Sequence, residues 1–302
     1  MYIADLHCDS LLTVSSEQGL INEYNFSREY FQLQLTAAFI PKSNETPEER
    51  RRRLMRFMDI YISECTRLDL VNVVTCHDLA FAVAVEKRAA MFTVEGGGGL
   101  FAESEELRNL YRMGLRLLGP IWDSNELGCS AWEKLDTGLT DKGKMLIERC
   151  SEMGIIIDVS HMSDKSFYDT LEVSGYPVIA THSNFREVSD SPRNLSLDMA
   201  KRIVSRGGVI GLNLYPDFLD PTGAASLDSV YRQVDYALDN LGEDSLAFGF
   251  DIDGTDGKYP EGISTKKSIH DQVIDALISK YGDRITEKIA GDNAISFLKG
   301  NL

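Results

Sequence analysis

Short apolar, β-branched runs recur along the whole chain, and each is followed by an amphipathic stretch. The runs fall at residues 2–6, 33–40, 90–95, 115–121, 154–159, 176–181, 208–214 and 246–251. Their length suits strands rather than helices. They are nearly continuous in apolar residues rather than alternating, which is the pattern of parallel strands buried on both faces. The intervening stretches carry helix signals. Thr140 can cap a helix that turns Leu146, Cys150 and Met153 inward and stops at Gly154. Ser226 can cap another, with Val230, Val234, Leu238 and Leu241 inward and Gly242 ending it. Residues 47–70 predict a longer helix with Leu54, Phe57, Met58, Tyr61, Ile62 and Cys65 on one side. Strands alternating with helices fit either an open doubly wound sheet or a closed barrel. The count of eight, and a length near that of such barrels, favour the α/β class as a (β/α)8 TIM barrel. No Pro-, Gly- or Ser-rich linker and no internal repeat divides the chain, so a single domain over 1–302 is expected. Residues 71–88 could add a further strand, which leaves the register of the count open.

Composition narrows the function classes. The 302 residues hold 47 acidic and 31 basic side chains, a formal net charge of −16. That balance argues against nucleic acid and against anionic membranes, both of which need clustered Lys and Arg. The one basic run, Arg50 to Arg53, follows Glu48 and Glu49 and reads as a solvated helix face. The five cysteines are irregularly spaced with no C-x-x-C, so a disulfide framework is not expected and a reducing compartment is. The first residues carry no signal-peptide pattern, and no apolar stretch reaches the ~18 residues of a membrane span. A soluble cytoplasmic protein is the expectation.

The scarce ionisable residues sit at the carboxy-terminal ends of the strands. His7 and Asp9 follow the first run, Glu95 ends the third, and His161 and His182 follow the fifth and sixth. Asp251 ends the eighth. In a barrel all of these ends converge on one rim, where barrel active sites lie. His7 and Asp9 are two apart, so in an extended strand they share a face and could reach one metal ion. His161 and His182 could share a second. Glu95 lies between the pairs and could bridge both, with Gly96–Gly99 letting the backbone turn sharply beside it. His, Asp and Glu suit zinc and other divalent first-row metals. Asp158 is a candidate partner that orients a ligand histidine. His77 and His270 end no strand and are assigned to surface or loop positions.

Eight segments then match a known family in order and spacing: D-L-H-C-D-S at 5–10, V-E-G-G at 94–97, G-L-T-D-K-G at 138–143, D-V-S-H at 158–161, T-H-S-N at 181–184, P-R-N-L at 192–195, F-D-I-D-G at 250–254 and G-D-N-A at 291–294. The chain resembles the membrane (renal-type) dipeptidases, binuclear zinc metallopeptidases on a (β/α)8 barrel. The resemblance implies that His7, Asp9 and Glu95 hold one zinc and that Glu95, His161 and His182 hold the other. It implies that Arg193 binds the terminal carboxylate of a dipeptide and that Asp251 handles the proton near a bridging water. The reaction so implied is hydrolysis of dipeptides, including those with a C-terminal D-residue, by a hydroxide held between two divalent ions.

The chain also departs from the family. Many relatives carry a histidine after strand 4 that contacts the reacting carbonyl, and Trp122 stands there in this chain. Asn125 is the nearby candidate to help at the carbonyl. Two other readings compete. One is a binuclear amidohydrolase on the same fold, which usually opens with H-x-H rather than the H-x-D found here. The other is a non-catalytic barrel that binds metal or peptide. A homodimer is the default assembly for such a barrel.

Overall fold

The structure, a computed structural model, describes residues 1–14, 20–22, 24–42, 45–101 and 104–302. Among these residues, nine parallel strands form the centre: β1 Tyr2–Cys8, β2 Phe31–Ile40, β3 Val71–Asn72, β4 Ala89–Gly96, β5 Leu117–Gly119, β6 Ile156–Asp158, β7 Val178–Ile179, β8 Ile210–Leu212 and β9 Leu246–Phe248. Eight of them run in the order β7-β6-β5-β4-β2-β1-β9-β8. The ends of that row meet through a parallel bridge between Ala180 and Ile210. There the Ala180 N–H donates to the Val209 carbonyl at 3.2 Å, and the Gly211 N–H donates to the Ala180 carbonyl at 2.7 Å. The sheet is thereby a closed (β/α)8 barrel.

All eight expected strands exist. The segment 71–88 does add a strand, β3, but only Val71–Asn72, which pairs with the start of β4 beside Ala89 and Ala90. The rest of that segment is mainly the helix Cys76–Ala84. The later strands are shorter than the apolar runs. Beyond their ladders the chain leaves the extended region, with φ of +67° at His161 and +60° at Asp251. The apolar run predicts burial, and burial continues past the last paired residue.

The helices form for the expected reasons. Thr46 and Glu49 close a capping box on Pro47–Arg67, with Pro47 in its first turn. The Thr140 hydroxyl accepts the Gly143 N–H to start Asp141–Met153, and Gly154 ends it in the left-handed region at φ +70°. Arg51, Arg52 and Arg53 pair with Glu48, Glu106 and Glu45 on the surface, as a solvated helix face should.

Two apolar layers hold the barrel. The inner one takes alternate residues from the strands, including Leu6, Leu35, Met91, Leu117, Ile156, Ile179 and Ala247. Ala294, Ile295, Phe297 and Leu298 of the helix Asn293–Asn301 join it and close its amino-terminal end. The outer layer packs strands against the surrounding helices. With the bottom plugged by apolar side chains, the carboxy-terminal rim is left for chemistry.

Candidate metal centre

Six ionisable side chains from five strand ends meet at that rim: His7, Asp9, Glu95, His182 and Asp251 are buried, and His161 is half-buried. His7 Nε2 lies 3.6 Å from Asp9 Oδ2, 3.7 Å from Glu95 Oε2 and 3.9 Å from Asp251 Oδ1. His161 Nε2 and His182 Nε2 lie 2.9 and 3.3 Å from Glu95 Oε1. Three sets have ligand atoms within 4.8 Å of one another: His7–Asp9–Glu95, Glu95–His161–His182 and His7–His182–Asp251. The first two are the sets expected from the sequence, with Glu95 common to both.

The atoms converge without satisfying one another. His7 Nε2, Asp9 Oδ1 and Glu95 Oε1 are buried with no hydrogen-bond partner, although Glu95 Oε1 has two imidazole nitrogens close by. Orphaned buried polar atoms are costly and rare. Several aimed at one point mark the place where a cation would satisfy them together. The donor set of three imidazoles and three carboxylates is that of divalent first-row metals.

Electrostatics agree with this reading. Burial opposes charge on His7, but the Glu95, Asp9 and Asp251 carboxylates outweigh it and push its pKa up to about 10. Burial, then the neighbouring carboxylates, hold Glu95 well above the usual range, against the pull of His7. Burial also raises Asp251 to about 6. His161 and His182 are driven well below the usual imidazole value, by burial and then by the positive charges of Arg193 and His7. These two histidines therefore stay neutral, the form that ligates metal.

The ligands are oriented from behind. The Thr181 hydroxyl lies 2.8 Å from His182 Nδ1 and 3.4 Å from His7 Nδ1, and itself donates to Asp158 Oδ2. Committed as a donor to Asp158, the hydroxyl is left as an acceptor for the Nδ1–H of His182, which leaves Nε2 free for a metal. Asp158 thus reaches the ligand histidine through Thr181, not directly. Asn213 donates to Asp251 Oδ2 at 3.0 Å. Thr181 and Asn213 were not singled out in the sequence, yet each is a polar residue within or at the end of an apolar strand run.

A cavity of about 520 Å³ opens over the centre. Trp122 lines it, its ring 5.9 Å from that of His161 and 4.8 Å from that of Phe39. Trp132, Tyr215 and Phe218 complete an aromatic wall. One expected substrate contact, Asn125, is turned away from the cavity. Asn125 is committed to its own loop, donating to the Pro120 carbonyl and accepting the Leu127 N–H, and does not line the cavity. Arg193 is 3% exposed and lies behind the ligands. Its guanidinium donates to His161 Nδ1 at 3.1 Å, Ser183 Oγ at 2.9 Å and the His182 carbonyl at 2.8 Å.

Gly254 also lines the cavity, and a Cβ there would run into Asp9 Oδ2 and Asp251 Oδ1. Glycine is what lets the backbone pass so close to both carboxylates. Gly254→Ala is expected to weaken Zn²⁺ binding about tenfold or more, the scale seen when the supports of a ligand are disturbed. Chelator competition measures this; an unchanged affinity would show that the carboxylates can move aside.

A family model described as membrane dipeptidase (peptidase family M19) matches residues 1–300. The chain belongs to the membrane dipeptidase family. A relative in Klebsiella pneumoniae, named only as an uncharacterized protein in the pqqA 5′ region, is 32% identical over 68% of this chain and 79% of its own. Mouse dipeptidase 3 is 28% identical over 89% of this chain, and the match spans 54% of that protein. The crystal structure of a metallopeptidase from Rhodobacter sphaeroides superposes with a TM-score of 0.87 at 22% identity, over 100% of this chain and 99% of the other. That protein was crystallised with a phosphinate mimic of the dipeptide L-Ala-D-Ala.

The two remaining histidines divide. His77 is exposed on the helix Cys76–Ala84, as expected. His270 is not a surface or loop residue. It is wholly buried in the helix Ile269–Tyr281, with Nε2 2.7 Å from Asp5 Oδ2. All five cysteines are free thiols. No helix among the described residues is long and apolar enough to cross a membrane.

Proposed function

We propose that this member of the dipeptidase family is a two-metal dipeptidase, with zinc as its metal, that cleaves dipeptides including those ending in a D-residue. The observation that carries the reading is the set of buried, mutually unsatisfied ligand atoms beneath a cavity of dipeptide size. His7, Asp9 and Glu95 would hold one ion, and Glu95, His161 and His182 the other. When bound, the ions supply Lewis acidity toward a scissile carbonyl and an acidified water.

The chain's own residues supply the rest. Asp251 accepts the proton of the attacking water and passes it to the leaving amine, a task suited to a carboxylate raised toward neutrality. Arg193 provides the positive charge that draws the free terminal carboxylate of the substrate. Ser183 and the His182 carbonyl take two of its five N–H groups, and the one that meets His161 Nδ1 is released once Nε2 holds a metal and Nδ1 carries the proton. Trp122 walls the cavity beside His161. A carboxylate held close to the bond being cut selects dipeptides over longer peptides. The D-residue tolerance draws on the ligand of the Rhodobacter sphaeroides structure. The free thiols fit a reducing compartment, and we place the enzyme in the cytoplasm.

The test is a screen of L,L and L,D dipeptides, with tripeptides and dipeptide amides as controls, with Zn²⁺ added or removed. Metal-dependent cleavage confined to dipeptides with a free carboxylate supports the reading. Bound zinc with no turnover of any dipeptide would make the barrel a binding protein instead.

A further inference from the structure

Asp5 opens the D-L-H-C-D-S segment but belongs to none of the ligand sets. It is wholly buried, as is His270. The two lie between the barrel and the helix Ile269–Tyr281, where the His270 ring stacks on Phe250 at 5.1 Å.

β1 shifts register against β2 between Asp5 and Cys8. Leu6 packs in the inner apolar layer, and the next residue, His7, also turns to the barrel mouth. Two consecutive side chains on one side are what a β-bulge produces, and a bulge leaves backbone groups out of the ladder. The Asp5 carboxylate serves them. Its Oδ1 accepts the His7 N–H and the Phe250 N–H, each at 3.1 Å. Its Oδ2 accepts the His270 Nε2–H at 2.7 Å. One carboxylate therefore fixes the backbone of His7 on β1 and of the residue before Asp251 beyond β9.

His270 is a poor choice for stability alone. Its Nδ1 is buried with no hydrogen-bond partner. A leucine would fill the space beside Phe250 without orphaning a nitrogen, but would remove the donor that holds Asp5 from the third side. We infer that His270 and Asp5 are positioning residues for the metal centre: the imidazole holds the carboxylate, and the carboxylate holds the bulge that turns His7 to the ligand set. This inference rests on the metal-site reading above.

The test measures Zn²⁺ affinity of the full chain by competition with a chelating dye, beside the melting temperature of the metal-free protein. Three variants are compared. His270→Gln carries an N–H to nearly the place of Nε2, His270→Asn carries a shorter amide that falls short of Asp5, and His270→Leu carries no donor. Asn and Leu are expected to weaken Zn²⁺ binding by about tenfold or more, and Gln to stay within about threefold of the parent. A merely structural histidine would lower the metal-free melting temperature in all three and leave zinc affinity unchanged. Parental affinity in the folded Asn or Leu variant overturns the inference, as does a Gln variant as weak as Leu, or failure of all three to fold. A parent protein that binds no Zn²⁺ removes the metal-site reading and this inference with it. Zinc binding that is intact and equal in parent and variants removes this inference alone.

Discussion

Glu95→Gln leaves a folded barrel that binds less metal and cleaves dipeptides at least about 10³-fold more slowly, a loss of ~4 kcal/mol in transition-state stabilisation. Glu95 is the one side chain common to both of the expected ligand sets, so its loss weakens two sites at once. The amide keeps the shape but gives up the charge and one ligand oxygen. Stability moves the other way. Burial holds the folded-state pKa of Glu95 well above its value in the unfolded chain. Folding then favours the protonated form, and stability is lost as pH rises through the window between the two values. Glutamine has no such window. The metal-free variant should melt no lower than the metal-free parent at pH 7 to 8, and higher if the repulsion is felt in full. A variant that keeps full activity, or that melts far below the parent, contradicts the placement of Glu95 at the heart of the site. Metal analysis, kinetics and thermal melting on the same preparation read all three outcomes.

Asp251→Asn separates proton transfer from metal binding. Asp251 contributes to one of the three candidate ligand sets, the one with His7 and His182, and neither of the sets expected from the sequence needs it. The asparagine variant should keep most of its metal and lose about 10²-fold or more in kcat, the scale of a lost general base. The parent's activity should fall as pH drops, because a proton acceptor must be unprotonated. Burial, opposed by His7, Asn213 and Arg193, places this carboxyl at about 6, and cations beside it would bring it lower, so the acid limb should lie at or below that pH. In Asp251→Asn that limb should flatten in excess Zn²⁺. An asparagine variant with the parental kcat and an unchanged acid limb would assign the proton to another group.

Much of this site was legible in the sequence because strand ends in a barrel converge by topology. His7, Asp9, Glu95, His161, His182 and Asp251 needed only the alternation of apolar runs to be placed on one rim. What the topology could not supply was side-chain direction. Asn125 stands at the expected point of the chain, yet its amide closes a local turn, which depends on the backbone of Gly128 and its neighbours. Arg193 is close to the ligands but approaches from behind, held by Ser183 and the His182 carbonyl. His270 ends no strand, so the apolar runs do not reveal its place. It begins a helix that covers β1, and its partner Asp5 sits at a register shift that no periodicity of 2 reveals. The apolar runs are longer than the strands because buried residues continue past the ladder into left-handed turns at His161 and Asp251. Those turns are where the chemistry sits, and strained backbone is most often found at such sites.

The central claim is that the converging orphaned atoms are a binuclear metal centre that hydrolyses dipeptides. Its most direct test is metal content per chain, measured by mass spectrometry as Zn²⁺ is titrated into metal-free protein while dipeptide hydrolysis is followed in the same samples. The account predicts about two zinc ions per chain at saturation, with activity absent in the metal-free protein and rising as the sites fill. Full activity without metal, or a saturated chain that holds none at these residues, would contradict it.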